Sequence, residues 1–562
     1  MYKKNKAEYF KKKYNEKYTP KINPGVKQGF ALGFPNDYYC GMSNLGLQVI
    51  YKTINARGDT ACERFFLEDD EHTLNGHRPL KTIETDRPVR DFPLLGLTLS
   101  FELDYFNVVK LIEQIGIPVF AAERTENQPL LIGGGPCATA NPEPIADFFD
   151  VLVIGEGEDV INEILNCYYC CQEKKLSRSD CLVELNRISG VYIPSLFKSA
   201  DCFGKNKSIK RQIKHDFSSS LPASSAIVAE NTEFSSMFLL EIARGCGRHC
   251  RFCMAGYCTR PPRVSDFALL KTALEQPLAD NLRVGLVGCA ISDYPRVDEL
   301  CEYLLDKKIK FSVASLRADS VSDVMLKALA ICGHQTVTFA PEAGSERMCT
   351  IINKTITHEQ LLSAVDRSTK AGIPNVRLYF MIGLPFEEQS DIQAIVDLSK
   401  EVLKIVKTNS PRGRLTLSVN PFVPKPNTPF QRLPFAEIEV LRRQYAFLKI
   451  EIDKLPGVEL KTEDLRQAAI QAMLARGDRN MAKWIVEAAQ LGGFKAWKRV
   501  LKANGVSSKN LLAGFTEMEV LPWSHIDCGV DDDFFTEEIA EAQKQRYTAI
   551  CYDGCRKCGV CK

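Results

Sequence analysis

Short apolar segments alternate with amphipathic helical segments over much of this 562-residue chain, and this rhythm limits the folds open to it. A chain of this length exceeds what one hydrophobic core supports, so several domains are expected. Strand-then-helix repeats favour parallel sheets covered by helices, with functional groups collected at the carboxyl ends of the strands. The sequence therefore predicts an α/β protein whose functional residues lie in the loops that follow its strands.

The first block of this rhythm lies between residues 29 and 163. Glycine-rich turns such as Gly133-Gly134-Gly135 follow its apolar segments, as expected where a strand turns sharply into a loop. No G-x-G-x-x-G opens a helix, so a dinucleotide site is not indicated. The block predicts a Rossmann-like, doubly wound domain, preceded by a solvated basic tail over residues 1–28. Its strands are predicted at residues 29–34, 94–99, 129–133 and 151–155.

The rhythm returns between residues 236 and 434, after a connector over residues 164–235 that contains a polar, serine-rich linker. Six strand segments, each but the last followed by a helical segment, predict a partial (β/α)6 barrel of the TIM type. A proline-rich run at residues 420–431 closes it. Residues 435–562 are predicted to form a helical C-terminal domain, with Trp484 and Trp497 as core anchors. Barrel strands are predicted at residues 238–243, 283–287, 310–315, 336–340, 376–382 and 415–419.

Three cysteines follow the first predicted barrel strand in C-x3-C-x2-C spacing: Cys246, Cys250 and Cys253. Thiolates close together on one loop suit a soft metal centre. Zinc or a set of buried structural thiols is the alternative, and zinc normally takes four protein ligands. His249 is available as a fourth zinc ligand, but its neighbours Arg248 and Arg251 indicate a polar, solvent-facing turn. An iron–sulfur cluster is therefore favoured.

With Phe252 before its last cysteine, this loop resembles that of the radical S-adenosylmethionine (SAM) superfamily. The resemblance implies a 4Fe–4S cluster held by three cysteines, whose open iron chelates the amino and carboxylate groups of SAM. The reduced cluster then passes one electron to the sulfonium, which releases a 5′-deoxyadenosyl radical. The protein positions cofactor and substrate, while the cofactor performs the difficult chemistry.

The resemblance also implies SAM contacts at the ends of successive strands. Gly288 and Cys289 occupy the place of the family's G-G-E segment, without its acidic residue. Glu342 belongs to a turn like the family's E-S/A-G turn, although it could also cap the next helix. Arg377 could orient a carboxylate, and Arg317 could simply pair with Asp319. The cofactor-binding residues expected on this basis are Gly288, Cys289, Ser315, Arg317, Glu342 and Ile382.

The N-terminal block, with its Gly155-Glu156-Gly157-Glu158 turn, resembles the cobalamin-binding domain that precedes the barrel in many radical SAM enzymes. The axial-histidine motif of that domain, D-x-H-x-x-G, is absent in strict form. Residues 70–76 come close but are one residue too long. The domain is therefore expected either to bind cobalamin without a histidine ligand or to keep the fold alone.

Four more cysteines end the chain in C-x3-C-x2-C-x2-C spacing: Cys551, Cys555, Cys558 and Cys561. Four thiols within one short run can hold zinc or a second iron–sulfur cluster, and the continuous run favours the cluster. The preceding LPWSHID segment at Leu521–Asp527 resembles that of a little-described radical SAM subfamily with a C-terminal cysteine cluster.

These features together predict a cytoplasmic radical SAM enzyme, a transferase that methylates or similarly modifies its substrate. Methylthiolation with the C-terminal cluster, or a non-catalytic iron–sulfur or zinc binding module, is the alternative. A net charge of +2 gives no global signal for polyanion binding, which leaves a small molecule, RNA or protein as substrate. Flavodoxin or ferredoxin is the expected electron donor. No apolar run is long enough for a membrane span, and 21 cysteines without a secretion signal favour a reducing compartment.

Overall fold

A six-stranded sheet forms the N-terminal domain in the computed structural model, which describes residues 14–20, 26, 28–68, 79–197 and 209–561. Its order is β2-β1-β3-β4-β5-β6, with five parallel strands and an antiparallel β6 at one edge. The parallel part has the flavodoxin-like order 2-1-3-4-5 of doubly wound folds. The strands are Gln28–Phe34 (β1), Thr60–Phe66 (β2), Leu94–Thr98 (β3), Leu130–Gly134 (β4), Val151–Val153 (β5) and Val191–Tyr192 (β6).

Helices cover both faces of this sheet and bury its apolar residues. Strand β2 was not among the predicted strands, because Glu63 and Arg64 interrupt its apolar pattern. Both are buried, and the Arg64 guanidinium pairs with Glu84 at 2.6 Å and with Glu16 at 2.8 Å. The helices are Tyr38–Met42 (α1), Leu45–Asn55 (α2), Tyr105–Ile115 (α3), Pro136–Ala140 (α4), Gly157–Glu173 (α5) and Arg178–Leu185 (α6).

The described part of the predicted basic tail is docked on the domain. Glu16 binds Arg64, Tyr14 stacks on Tyr38 with ring centroids 3.9 Å apart, and the Lys17 amide donates to Val228 at 2.8 Å. The prediction of a solvated tail is therefore wrong for these residues. The lysines at positions 3–13 lie outside the described residues.

The barrel consists of two parallel sheets, ordered β12-β11-β8 and β13-β14-β15-β16. A single parallel bridge from Leu316 to Phe339 joins them into one curved, open wall. Strand β12 is shorter than predicted, and β16 adds a seventh strand inside a region predicted to be helical. The strands are Met237–Glu241 (β8), Arg283–Val287 (β11), Phe311–Ser312 (β12), Thr336–Glu342 (β13), Asn375–Ile382 (β14), Leu415–Pro421 (β15) and Val458–Thr462 (β16).

Helices pack on the outer face of this wall. In β14 the outward side chains of Val376, Leu378, Phe380 and Ile382 are almost fully buried, whereas the intervening residues are half-buried on the inner face. Side chains alternate along a strand, so the inner face of every barrel strand can be assigned in the same way. The helices are Ala255–Cys258 (α7), Phe267–Ala279 (α8), Val297–Asp306 (α9), Asp323–Ile331 (α10), Glu346–Ile351 (α11), His358–Lys370 (α12) and Gln389–Asn409 (α13).

The C-terminal region is largely helical, as predicted. Trp497 is 1% exposed in the core and Trp484 is partly buried against it, in agreement with their predicted packing role. The connector contributes Ile209–Lys210 (β7), which pairs in parallel with Ile526–Asp527 (β17). The helices are Ile438–Ile452 (α14), Leu465–Arg476 (α15), Met481–Gln490 (α16), Trp497–Ala503 (α17), Ser508–Leu512 (α18) and Asp532–Gln543 (α19).

One apolar core runs from the N-terminal domain through the barrel to α15, α16 and α17. None of the helices formed by the described residues is both long and apolar enough to cross a membrane.

Candidate functional site

The first cysteine group lies on a hairpin loop at the carboxyl end of β8. Ala243–Arg244 (β9) and Arg263–Val264 (β10) pair in antiparallel fashion and close the loop. Gly245 begins it with φ of 79°, and a Cβ there would lie 2.4 Å from the Thr259 carbonyl oxygen. Only glycine fits this position without moving the opposite side of the loop.

The thiols of this loop lie close enough to interact electrostatically. Each of Cys246 and Cys253 interacts electrostatically with Cys250, and the Arg248 amide donates to the Cys246 sulfur at 3.4 Å. Burial raises the pKa of Cys246 and raises that of Cys253 to about 12. Burial thus favours the protonated form of these two thiols, and a metal centre has to displace their protons when it binds them.

Two buried cations stand beside Cys250. Lys354 Nζ pairs with Glu342 Oε1 at 3.2 Å, and both Lys354 and Arg317 interact electrostatically with the Cys250 sulfur. Burial lowers the pKa of Lys354, but the Glu342 carboxylate and Cys250 together raise it above its ordinary value. Ser345, not Glu342, caps α11, so the helix-cap alternative for Glu342 is wrong.

Arg317 and Asp319 form the predicted ion pair, and it is shielded from solvent. The Arg317 guanidinium donates to both carboxylate oxygens of Asp319, at 3.0 and 2.9 Å. Arg248 donates to the same carboxylate at 3.0 Å and to Asp293 at 3.0 Å. This network fixes Arg317 beside the cysteine loop, where its charge favours thiolate over thiol.

The other predicted cofactor contacts lie at the ends of their strands with different exposure. Cys289 is exposed and interacts electrostatically with Cys246. A Cβ on Gly288 would lie 3.3 Å from the Ala243 carbonyl oxygen, so the glycine keeps this place open. Ser315 is exposed. The Ile382 side chain is buried in the outer core, and its carbonyl accepts the Phe422 amide at 2.9 Å.

The cysteine loop is not the solvent-facing turn that its arginines suggested. His249 and Arg251 are 1% and 0% exposed. Burial, reinforced by nearby Arg260, Lys557 and Arg251, lowers the pKa of His249 to about 3. The His249 ring packs against Phe534 of α19, with ring centroids 5.4 Å apart, so the back of the loop is covered by the C-terminal region.

Arg251 attaches that region to the barrel. Its guanidinium pairs with Glu538 of α19 at 2.9 Å and donates to the carbonyls of Ile351 at 2.8 Å and Arg546 at 2.8 Å. The side chain of Asn353 makes a second link. Its Nδ2 donates to the His249 carbonyl at 3.0 Å, and its Oδ1 accepts a hydrogen bond from the backbone amide of Thr548 at 2.9 Å.

The second cysteine group consequently lies against the first. The Cys551 amide donates to the Gly247 carbonyl at 2.8 Å, and a Cβ on Gly247 would lie 3.3 Å from the Cys551 Cβ. Buried Arg260 donates to the Cys558 sulfur at 3.3 Å and to the Arg248 carbonyl at 2.9 Å. One arginine thus touches both cysteine groups.

The C-terminal thiols also interact among themselves. Burial and the neighbouring Cys555 raise the pKa of Cys551 to about 11. Burial opposes a thiolate at Cys555, but hydrogen bonds from the Lys557 amide and the Cys551 thiol lower its pKa below the ordinary value. Cys561 interacts with Cys558, Cys555 and Cys551. Over the described ranges, no three His, Cys, Asp or Glu side chains form a ready-made site for a metal ion.

Comparison with known proteins identifies the family. Residues 240–399 match the family model described as the Radical SAM superfamily, and residues 46–194 match that described as Radical SAM proteins, N-terminal. The uncharacterized protein MJ0966 of Methanocaldococcus jannaschii is 31% identical over 458 residues, which cover 80% of this chain and 89% of that protein. The chain belongs to the radical SAM superfamily. A 4Fe–4S cluster and SAM are the cofactors that membership in this family of enzymes implies.

Two further relatives extend this radical SAM comparison. Ribosomal protein uS12 methylthiotransferase RimO of Pelotomaculum thermopropionicum is 24% identical over 178 residues, 29% of this chain and 39% of that protein. The radical SAM methyltransferase TsrM of Kitasatospora setae, solved with tryptophan and a SAM analog, superposes with a TM-score of 0.51 at 11% identity. The superposition covers 85% of this chain and 100% of the TsrM chain. This likeness of fold supports the predicted succession of an N-terminal α/β domain and a partial barrel.

Sequence reasoning about this radical SAM chain missed the residues that surround its cysteine loop. Lys354, Asn353 and Arg260 carried no motif and entered no prediction. The positive charge of residues 244–263 was a visible signal, but Arg248 and Arg251 were interpreted as part of a solvent-facing turn. The structure instead makes links of three of these arginines: buried Arg251 and Arg260 join the loop to the C-terminal region, and the partly buried Arg263 pairs with Glu156 of the N-terminal domain.

Proposed function

We propose that this enzyme uses Cys246, Cys250 and Cys253 to bind a SAM-cleaving 4Fe–4S cluster and that the resulting radical methylates or similarly modifies a substrate in the barrel. The observation that carries the proposal is the convergence of three thiols on one loop at the carboxyl end of β8, beside the cations Arg317 and Lys354.

The described residues supply the donors for such a cluster, although their thiols are not already arranged as a metal site. Three thiols provide the soft donors that iron–sulfur clusters take, and the Arg248 amide can donate to a bound sulfur as it does to the Cys246 thiol. When bound, the cluster supplies the electron that cleaves SAM. Arg317 and Lys354 place two positive charges beside the loop, which stabilises the thiolates and eases electron uptake. Glu342 holds Lys354 in place at 3.2 Å.

Methylation is the outcome that we propose first, because the structure that shares this fold is described as that of a radical SAM methyltransferase. Methylthiolation is the second candidate, favoured by the partial likeness to RimO and by the cysteine-rich C-terminus. The two differ in the atom inserted, so mass analysis of the product separates them.

Cobalamin does not fit the described N-terminal domain at the carboxyl edge of its sheet. In doubly wound folds ligands bind beyond this edge. Here Glu156 pairs across it with Arg244 at 3.0 Å, the Asn427 amide donates to Ala140 at 2.9 Å, and the Asn141 amide donates to Gly477 at 2.9 Å. These contacts occupy the part of that edge that follows β4 and β5. We infer that the domain keeps the cobalamin-binding type of fold without the ligand; residues 70–76 lie outside the described ranges.

We further propose that Cys551, Cys555, Cys558 and Cys561 hold a second iron–sulfur cluster. The mutual contacts of their thiols and the Arg260 donation to Cys558 support a soft, anionic centre at this place. Zinc is the rival ligand of the same thiols. Metal analysis of the reconstituted protein decides between them.

The experiment is anaerobic reconstitution with iron and sulfide, followed by dithionite and SAM, with 5′-deoxyadenosine and iron per chain as readouts. The matched control replaces Cys246, Cys250 and Cys253 by alanine. We expect 5′-deoxyadenosine from the wild type alone, and about four irons remaining in the control if the C-terminal cluster is present.

Three results would oppose these proposals. A wild type that carries zinc and makes no 5′-deoxyadenosine would point to a metal-binding module. An iron-free control would remove the second cluster. A shift in the visible spectrum on adding hydroxocobalamin would show that the N-terminal domain opens to bind it.

The partners of the enzyme also remain proposals. We propose flavodoxin or ferredoxin as the electron donor and the cytoplasm as the compartment, since an oxygen-sensitive cluster needs reducing surroundings. A small molecule, RNA or protein can serve as substrate.

A further inference from the structure

The inner face of the barrel wall is polar along its second half. In β14 the inner residues are Arg377, Tyr379 and Met381. In β15 the residues paired beside them are Thr416, Ser418 and Asn420. Arg377 stands between Thr338 of β13 and Thr416 of β15 in the register of the sheet. Its outward neighbours Val376 and Leu378 are fully buried under the helices, so the guanidinium belongs to the barrel interior.

Each carboxylate on this inner face already has a cation. Glu241 pairs with Arg244 at 2.7 Å and Glu342 with Lys354 at 3.2 Å. Glu459, at the open edge, pairs with Lys461 at 3.6 Å. The acidic residues of the inner wall are therefore compensated by cations other than Arg377.

Arg377 itself has no such partner. Its Nε is buried without a hydrogen-bond acceptor, and among the described residues the side chain makes no hydrogen bond or ion pair. Arg283, the other inner-wall arginine, donates to the Cys332 carbonyl at 3.1 Å and to Ser312 at 3.4 Å but likewise meets no carboxylate. A half-buried guanidinium next to hydroxyl-bearing neighbours leaves uncompensated positive charge inside the barrel.

The position of Arg377 excludes the carboxylate of SAM as its partner. Ile382 ends the same strand five residues later, and the cysteine loop lies at that carboxyl end. At about 3.3 Å per residue, Arg377 lies roughly 16 Å further down the strand. A SAM molecule chelated at the cysteine loop does not place its carboxylate there. A partner for Arg377 has to come from a second molecule, one that extends down the barrel from the reacting end.

We propose that Arg377 binds an oxyanion, a carboxylate or a phosphate, on the part of the substrate remote from the carbon that is modified. This inference rests on the proposed function, because it takes the barrel interior as the substrate site. A guanidinium offers two parallel N–H donors to either oxyanion, and a site shielded from bulk water strengthens such charge-assisted bonds.

The test measures anion binding by the full-length, reconstituted enzyme under anaerobic conditions. Thermal midpoints are recorded against inorganic phosphate and, separately, against glutarate at constant ionic strength. The variants are Arg377→Gln, Arg377→Lys and the matched control Arg442→Gln, which removes the same charge from the exposed face of α14. A ligand that binds only the folded state raises the midpoint saturably.

We expect saturable stabilisation of the wild type and of Arg442→Gln by at least one anion. Arg377→Gln should bind that anion roughly 10- to 100-fold more weakly, the loss expected for charge-assisted hydrogen bonds, and Arg377→Lys should be intermediate. Preference for phosphate or for glutarate tells which oxyanion the substrate carries. Equal stabilisation of wild type and Arg377→Gln, or none in the wild type, would overturn the inference. Failure of the proposed function shows separately, as a wild type that makes no 5′-deoxyadenosine.

Discussion

Replacing Arg251 by methionine should detach the C-terminal region from the cysteine loop while leaving every cysteine in place. The Arg251 guanidinium is fully buried and lies 2.9 Å from Glu538, whose side chain is 4% exposed. Methionine preserves much of the volume but leaves the carboxylate buried without its cation. Breaking a buried pair in this way costs about 3 to 5 kcal/mol.

This cost falls on the docking of the C-terminal region rather than on the whole chain. Each 1.4 kcal/mol changes an equilibrium about tenfold, so the population of the undocked state should rise by at least about 100-fold. Hydrogen exchange measures that population when opening and closing are fast. The Thr548 amide, bound to Asn353 at 2.9 Å, and the Cys551 amide, bound to Gly247 at 2.8 Å, report docking directly.

Two comparisons make this prediction refutable. Arg546→Met removes an exposed arginine from the same region and should leave both amides protected. Adding Glu538→Gln to Arg251→Met removes the unpaired buried charge. The glutamine still offers an oxygen to the Thr548 hydroxyl, which donates to Glu538 at 2.6 Å in the unsubstituted protein. This second change should restore at least half of the lost protection. An acceleration of exchange below about fivefold in Arg251→Met, or no rescue by Glu538→Gln, would show that the ion pair does not hold the region in place.

Three further predictions concern the loop and its surroundings. Gly245→Ala should lower iron incorporation, because its Cβ would lie 2.4 Å from a carbonyl oxygen. The control is Gly333→Ala, where φ is 85° and no atom lies near the new Cβ. That change should lower the free energy of unfolding by only about 1–2 kcal/mol and keep the iron. Burial raises the pKa of Glu387 from 4.5 to about 7. The protonated group therefore stabilises the fold at low pH, and that stabilisation disappears as the pH rises through 7. In Glu387→Gln the thermal midpoint should depend less on pH between pH 5 and 8. Lys354→Met should lower the cluster's reduction potential, measured by an EPR-monitored titration, because it removes a positive charge beside Cys250.

The fold was predictable where burial follows a local period. In β14 the alternation of buried Val376, Leu378, Phe380 and Ile382 with half-buried residues marks both the strand and its outer face. The same rule failed at β2, because Glu63 is buried on the Thr82 hydroxyl and Arg64 on the Glu16 carboxylate, and neither partner is a neighbour in sequence. It failed at β16 because this short edge strand is largely exposed and offers only Val458 and Leu460 as an apolar face, within a region of otherwise helical segments.

The candidate site, too, was predictable only where its residues are close together in sequence. Cys246, Cys250 and Cys253 lie within one turn-rich loop, so their spacing alone indicated a shared centre. Arg251 and Glu538 are 287 residues apart, and nothing local in either segment shows that they meet. The sequence placed the second cysteine group at the tip of a separate helical domain. Its position beside the first group follows only from the tertiary contacts of Arg251, Asn353 and Arg260.

This proximity changes how cysteine substitutions in the C-terminal region should be interpreted. Cys551 contacts the loop directly, and Cys558 accepts a hydrogen bond from Arg260, which also donates to the carbonyl of Arg248, between Cys246 and Cys250. A variant that loses these thiols therefore disturbs the first cysteine group even if no metal binds the second. Arg251→Met separates the two effects, because it undocks the region but retains all seven thiols. If that variant keeps its full iron content yet loses SAM cleavage, docking itself supports the first cluster; if it keeps both, the effect of a cysteine substitution belongs to the second centre.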